Sequence, residues 1–270
     1  MRVGLSFPNF GAYSDPVTTV ALAVAAEEAG WDGFFVWDHI VVSDRMPVAD
    51  TLLMLGAIGE ATRTLKIGPM VLAVPRYRPW VLARQAVTLD RLTGGRLILG
   101  VGIGYPPDAE FGTFGESTDD RERADKLDEA LTIITGMWSG EPFQFQGSHY
   151  QVGRNRFQPV PTQQPRIPIW VAGMIPNRRP MRRAARFDGV FPIRADMRDV
   201  TARDLATVVD YVSSHRDGSG PFDVVVGGPS DGDLAGLKEA GATWYLVGPS
   251  PEGESIEDTF RWVGNGPPAI

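Results

Sequence analysis

One histidine stands beside one carboxylate where an apolar run ends, at Trp37-Asp38-His39. An imidazole titrates near neutrality and can give or take a proton, and a neighbouring carboxylate can orient it. Successive strand residues point to opposite faces, so the pair has two readings. Either Asp38 orients His39, or one of the two faces a substrate and the other a different ligand. A histidine that only caps the strand is the plain alternative. Other apolar runs end in Val74-Pro75-Arg76, Gly102-Ile103-Gly104-Tyr105, Ala172-Gly173-Met174 and Pro192-Ile193-Arg194. Arg76 is a cation for an anionic substrate or cofactor tail. Tyr105 either offers its hydroxyl to a substrate or packs against the segment that follows it.

Several chemistries are excluded or disfavoured. No serine joins a histidine and an aspartate in the layout of a hydrolytic triad. The chain has no cysteine, which removes disulfides, thiolate nucleophiles and cysteine-ligated metals. Its three histidines, His39, His149 and His215, fall in separate segments, so no metal site is expected. A net charge of -7 argues against nucleic acid, whose binding draws on lysine and arginine neutralising phosphates. No run approaches the roughly 18 apolar residues of a membrane span. The segment Met1-Arg2-Val3-Gly4-Leu5-Ser6-Phe7 reads as a strand rather than a signal peptide, which predicts a cytoplasmic protein.

These residues need a scaffold, and the chain supplies one by alternation. Apolar runs at 2–7, 33–37, 65–74, 96–103, 167–172, 189–193, 222–226 and 242–247 predict eight strands. Runs such as Arg96-Leu97-Ile98-Leu99-Gly100-Val101 are apolar on successive residues, as strands covered on both faces should be. Helical patterns lie between them, over 17–29, 49–61, 80–92, 121–138, 181–186, 202–214, 231–240 and 255–263. Eight strand–helix units predict parallel pairing and closure into a single (β/α)₈ barrel domain over residues 1–270, near the roughly 250 residues typical of one. Two stretches break the alternation. Residues 105–120, after strand four, predict a lid, and residues 139–166, before strand five, predict a two-stranded insertion.

The run Trp31-Asp32-Gly33-Phe34-Phe35-Val36-Trp37-Asp38-His39, then Leu65-Lys66-Ile67-Gly68, then Gln85 through Thr93-Gly94-Gly95-Arg96-Leu97-Ile98-Leu99-Gly100-Val101-Gly102, resembles the luciferase-like flavin-dependent oxidoreductases. The resemblance continues through 121–138 and Pro168-Ile169-Trp170-Val171-Ala172-Gly173, and so covers roughly residues 1 to 195. It implies a ring cofactor in the barrel mouth, bound by backbone and apolar groups. It also implies a non-prolyl cis peptide at Met70-Val71 behind the ring, contacts from Gly102 and Gly104, and His39 acting beside the ring with Asp38 orienting it or bonding the cofactor. By the same resemblance the cofactor phosphate meets Ala172, Gly173 and Met174 and the start of a helix placed at Pro176, with Arg178 or Arg179 close behind.

The Asp-His pair is more similar to the members that use the deazaflavin coenzyme F420, which transfers hydride to or from a small organic substrate. The alternative is a reduced-FMN monooxygenase fed by a separate reductase. Two further readings stay open: a catalytically inert flavin-binding protein, and an unrelated phosphate-sugar barrel using Gly227-Gly228 and Gly248. The family resemblance implies a homodimer. Some F420-using dehydrogenases carry an acid directly after the strand-four glycines, whereas Tyr105-Pro106-Pro107 stands here with Asp108 and Glu110 displaced.

Overall fold

The apolar runs pair as parallel strands. The computed structural model describes residues 1–218, 220–249 and 255–269. Its strands are β1 (Arg2–Phe7), β2 (Gly33–Val36), β3 (Lys66–Pro69), β4 (Leu72–Ala73), β5 (Leu99–Gly102), β6 (Pro142–Gln146), β7 (Gln151–Arg156), β8 (Ile169–Ile175), β9 (Gly189–Arg194), β10 (Asp223–Gly228) and β11 (Trp244–Val247). Nine of them form one sheet in the order β3-β2-β1-β11-β10-β9-β8-β5-β4. The two ends of that order are halves of the third predicted strand, parted at the cis peptide Met70-Val71. Both halves meet the fourth strand. Ile67 N donates to Arg96 O at 3.1 Å, Ile98 N donates to Ile67 O at 2.8 Å, and Leu72 pairs with Val101. The sheet thereby closes into the expected eight-fold barrel.

Alternation along the strands sorts the apolar side chains into two layers. Phe35, Val225, Trp244 and Leu246 cluster with Met70, Ile98 and Trp170 inside the bore. Their neighbours Phe34, Val224, Val226, Tyr245 and Val247 belong to the larger core beneath the helices. Trp170 and Trp244 are fully buried, with ring centroids 5.3 Å apart. They fill the barrel rather than face a ligand.

Helices begin where an aspartate, serine or threonine can accept an early main-chain N–H. Asp15, Asp50, Asp119, Thr201, Asp233 and Ser255 each do so, starting the helices Pro16–Glu28, Thr51–Ala61, Asp120–Trp138, Ala202–Ser213, Leu234–Glu239 and Ile256–Gly264. Among the described residues, no helix is long and apolar enough to cross a membrane. Two expectations near residue 176 need correction. The fifth barrel strand runs on to Ile175, and the helix after it spans Arg178–Ala184, so Pro176 lies in the turn before it.

Both irregular stretches take shape. The lid stretch folds as a helical turn, Pro107–Glu110, and a further turn, Gly112–Phe114. The second stretch forms the antiparallel hairpin β6–β7. The Phe143 ring lies so close to Gly136 of the helix Asp120–Trp138 that a Cβ there would sit 2.1 Å from it.

Candidate active site

The carboxyl ends of β2, β4 and β5 bring the predicted acid–base residues together, but in a different arrangement. Asp38 does not hold His39. Its carboxylate accepts from Arg76 Nη2 at 2.5 Å, from the Ala73 N–H at 3.0 Å and from the Tyr77 hydroxyl at 3.1 Å. The partner of His39 is Glu110, whose Oε1 lies 2.8 Å from Nδ1. Glu110 also pairs with Arg76 Nη1 and accepts from the Ile40 N–H at 3.3 Å. Asp38, Arg76, Glu110 and His39 thus form one continuous polar chain, and its members are strongly shielded. Side-chain exposure is 1% for Glu110, 6% for Asp38 and 9% for Arg76, against 22% for His39.

That chain corrects the assignment of Arg76. Its guanidinium is buried and bridges two carboxylates, and Nη2 also donates to the Asp38 carbonyl at 3.0 Å. A buried cation held this way is not offered to a substrate anion. Glu110 and Tyr77 are the site residues that sequence reasoning missed. The available signal for Glu110 was an acid set between the apolar residues Ala109 and Phe111.

The lid is rooted so that Glu110 arrives at this place. Gly104 has φ +85°, which glycine adopts freely, and a Cβ there would come within 2.6 Å of the Phe111 ring. Phe111 is buried at 1% exposure. Arg123, on the helix Asp120–Trp138, donates to the Ile103 and Gly104 carbonyls at 2.8 and 2.7 Å and lies over the Phe111 ring. Glu110 is thereby carried into the mouth. Tyr105, at the lid's start, is 55% exposed.

Electrostatics fixes protonation states. Burial pulls the His39 imidazole below its ordinary 6.5; the Asp38 carboxylate opposes this and the Arg76 guanidinium adds to it. A shift in that direction favours the neutral imidazole at neutral pH. Because a carboxylate only accepts, Nδ1 carries the hydrogen and Nε2 keeps its lone pair. Burial, then the Asp38 carboxylate, holds the Tyr77 phenol well above its ordinary range, so it remains a donor.

Next to Ala73, whose N–H the Asp38 carboxylate accepts, Val71, Gly102 and Ala172 come together. A Cβ on Gly102 would lie 3.6 Å from Val71 Cγ2 and 3.9 Å from Ala172 Cβ, in ordinary contact. Such a floor of backbone and small apolar groups suits a flat ring. Gly173 has a separate reason to be glycine, since a Cβ would stand 2.2 Å from Pro180 Cβ. Met174 O accepts from the Asn177 N–H at 3.0 Å as the chain turns.

A cavity of about 530 Å³ opens at the ends of β8 and β9, lined by Ile175, Asn177, Arg178, Arg194, Asp196 and Tyr211 among others. Arg194 is held there by Asp196 and Asp204, each at 2.8 Å. Arg178 lies over the Tyr211 ring at 5.4 Å. Arg179, expected as a possible phosphate ligand, is instead clasped by Asp125 and Asp128 at 2.5 and 2.8 Å, and the buried Arg183 joins it on Asp128 at 2.6 Å.

An uncharacterised protein of Mycobacterium tuberculosis (strain H37Rv) is 30% identical over 270 residues, covering 90% of this chain and 89% of the relative. An F420-dependent glucose-6-phosphate dehydrogenase of Microbacterium testaceum is 34% identical over 165 residues, 60% of this chain and 48% of that protein. In fold, an F420-dependent secondary alcohol dehydrogenase, solved with an F420-acetone adduct, matches with a TM-score of 0.80 at 18% identity over 96% of each chain. The oxygenating constituent of 3,6-diketocamphane monooxygenase from Pseudomonas putida, solved with FMN, matches with 0.68 at 22% identity over 85% of this chain and 67% of that one. The family described as luciferase-like monooxygenase matches residues 1–229. Spanning most of its length, that match places the chain in the luciferase-like monooxygenase family.

Proposed function

We propose that this protein is an F420-dependent oxidoreductase that interconverts an uncharged alcohol and the corresponding carbonyl compound. The observation that carries the reading is the His39–Glu110 pair, which leaves Nε2 of a neutral imidazole as an open proton acceptor. A bound deazaflavin would supply the hydride acceptor, or in the reverse direction the hydride donor, for the carbinol carbon. The substrate hydroxyl proton goes to His39 Nε2 as the C=O bond forms, and the Glu110 carboxylate stabilises the imidazolium. In the other direction His39 returns the proton to the carbonyl oxygen. Alcohol–carbonyl interconversion moves one proton for every hydride, and the pair is built to move one; this supports F420 over reduced FMN. An alcohol reduces the cofactor itself, so the separate reductase of the FMN reading has no part here.

The ring would rest on Met70, Val71, Gly102 and Ala172. Its phosphate-bearing tail would run past Gly173 and Met174 toward Arg178 and the cavity beside β8. Similarity to F420-dependent dehydrogenases supports the cofactor. The commitment of Arg76 to Asp38 and Glu110 supports an uncharged substrate over a sugar phosphate. The test is a panel of secondary alcohols and of glucose 6-phosphate with oxidised F420, following loss of its visible band. Reduction by an alcohol and not by the sugar phosphate is expected; the reverse preference overturns the substrate class.

A further inference from the structure

Asn9, just beyond β1, is fully buried, and its side-chain amide is committed to main chain outside its own strand. Nδ2 donates to the His39 carbonyl at 2.8 Å and to the Ala49 carbonyl at 2.7 Å. Oδ1 accepts from the His39 N–H at 3.1 Å. The Asn9 carbonyl in turn accepts from the Ala49 N–H at 2.8 Å, and Phe10 bridges Val48. A single side chain therefore holds both main-chain groups of His39. On the imidazole itself, the Phe10 ring stands edge-on at 5.4 Å while Glu110 takes Nδ1.

We propose that Asn9 is the positioning residue for His39: its amide fixes the main chain that carries the imidazole, so that Nδ1 meets Glu110 and Nε2 stays open. The catalytic meaning of this placement rests on the function proposed above. The placement itself depends on no cofactor. The residue type follows from the bonds required, because two donors and one acceptor must come from one short planar group. Aspartate supplies no donor when ionised, serine and threonine supply one, and glutamine is a methylene too long. A fully buried amide with its bonds made to main chain is also poorly placed to touch substrate, which separates its role from that of His39.

The chain's three histidines make the test direct. Protein labelled with ¹⁵N-histidine is titrated by NMR, with the His39 signals identified by their loss in His39→Gln. The native protein is expected to show the Nδ1–H tautomer at His39 and a midpoint below the ordinary 6.5. Asn9→Ala is expected to give a mixture of tautomers at His39 and to move its midpoint away from the native one, with the signals of His149 and His215 unmoved. Asn9→Ser, which retains one donor, should fall between. A folded Asn9→Ala protein whose His39 tautomer and midpoint match the native ones overturns the proposal.

A readout that needs no variant guards against misfolding. The native His39 N–H should exchange with solvent at least about a hundredfold more slowly than an unprotected amide, and exchange at the unprotected rate overturns the proposal as well. Failure to bind F420 with an intact Nδ1–H tautomer would remove the cofactor reading and leave the role of Asn9 standing.

Discussion

Glu110 Oε1 lies 2.8 Å from Nδ1 of His39, across 71 positions of sequence. The contact joins the lid to the acid–base residue, so the two roles should fail together. Glu110→Gln keeps the shape and can still accept from Nδ1, but it removes the charge that stabilises the imidazolium. Turnover with F420 and a responsive alcohol should fall about 10²-fold, with F420 affinity unchanged. Steady-state kinetics and a binding titration on the same preparation check this, and an equal loss in both would mean that Glu110 acts on the cofactor.

Arg76 should matter to stability more than to substrate affinity. Arg76→Ala leaves two carboxylates, exposed by 1% and 6%, without their shared cation, a loss expected to cost about 3–5 kcal/mol. Arg76→Lys should recover only part of it, because an ammonium cannot bridge two acids as a planar guanidinium does. Urea unfolding with an unchanged slope measures the difference.

The pH dependence follows from the direction of the His39 shift. Burial, with Arg76, disfavours the imidazolium in the folded protein despite Asp38. As pH falls, the unfolded chain takes up this proton first, so the contribution is complete above about 6.5 and is lost as pH drops toward the lower folded-state midpoint. Denaturant midpoints should therefore decline in that window, and His39→Gln should flatten that part of the profile. A native profile that does not change on substitution would contradict the assignment.

Two glycines separate folding from binding. Gly173→Ala drives a Cβ to within 2.2 Å of Pro180 Cβ and should destabilise by about 1–3 kcal/mol. Gly102→Ala meets only Val71 and Ala172 at ordinary distances, so its melting temperature should be native. The added methyl group nonetheless stands on the proposed floor and should weaken F420 binding about tenfold, or roughly 1.4 kcal/mol. Melting curves and fluorescence titrations of the two proteins distinguish these outcomes.

Much of the barrel was legible because its signal is local. Doubly buried parallel strands such as Leu99–Gly102 read as unbroken apolar runs. The break at Met70-Val71 was not readable from periodicity and came from family resemblance alone. At the site, His39 was found because a histidine at a strand end is conspicuous, and of the two readings left open for Asp38 the one in which it orients His39 fails because adjacency in sequence is not proximity between side chains. Glu110 was passed over as displaced, since no local pattern reveals that Gly104 and the burial of Phe111 turn the lid inward. Arg76 looked available because its two acids come from distant segments. The end of β8 was misplaced for a related reason: Ile175 continues the strand beyond the apolar run, and proline at 176 suggested a helix start that belongs to Arg178.

The most direct measurement is a pair of fluorescence titrations of the purified protein, one with F420 and one with FMN. Tight, saturable binding of F420 with much weaker binding of FMN is the predicted result. Preference for FMN, or binding of neither, would contradict the assignment of this barrel mouth to a deazaflavin.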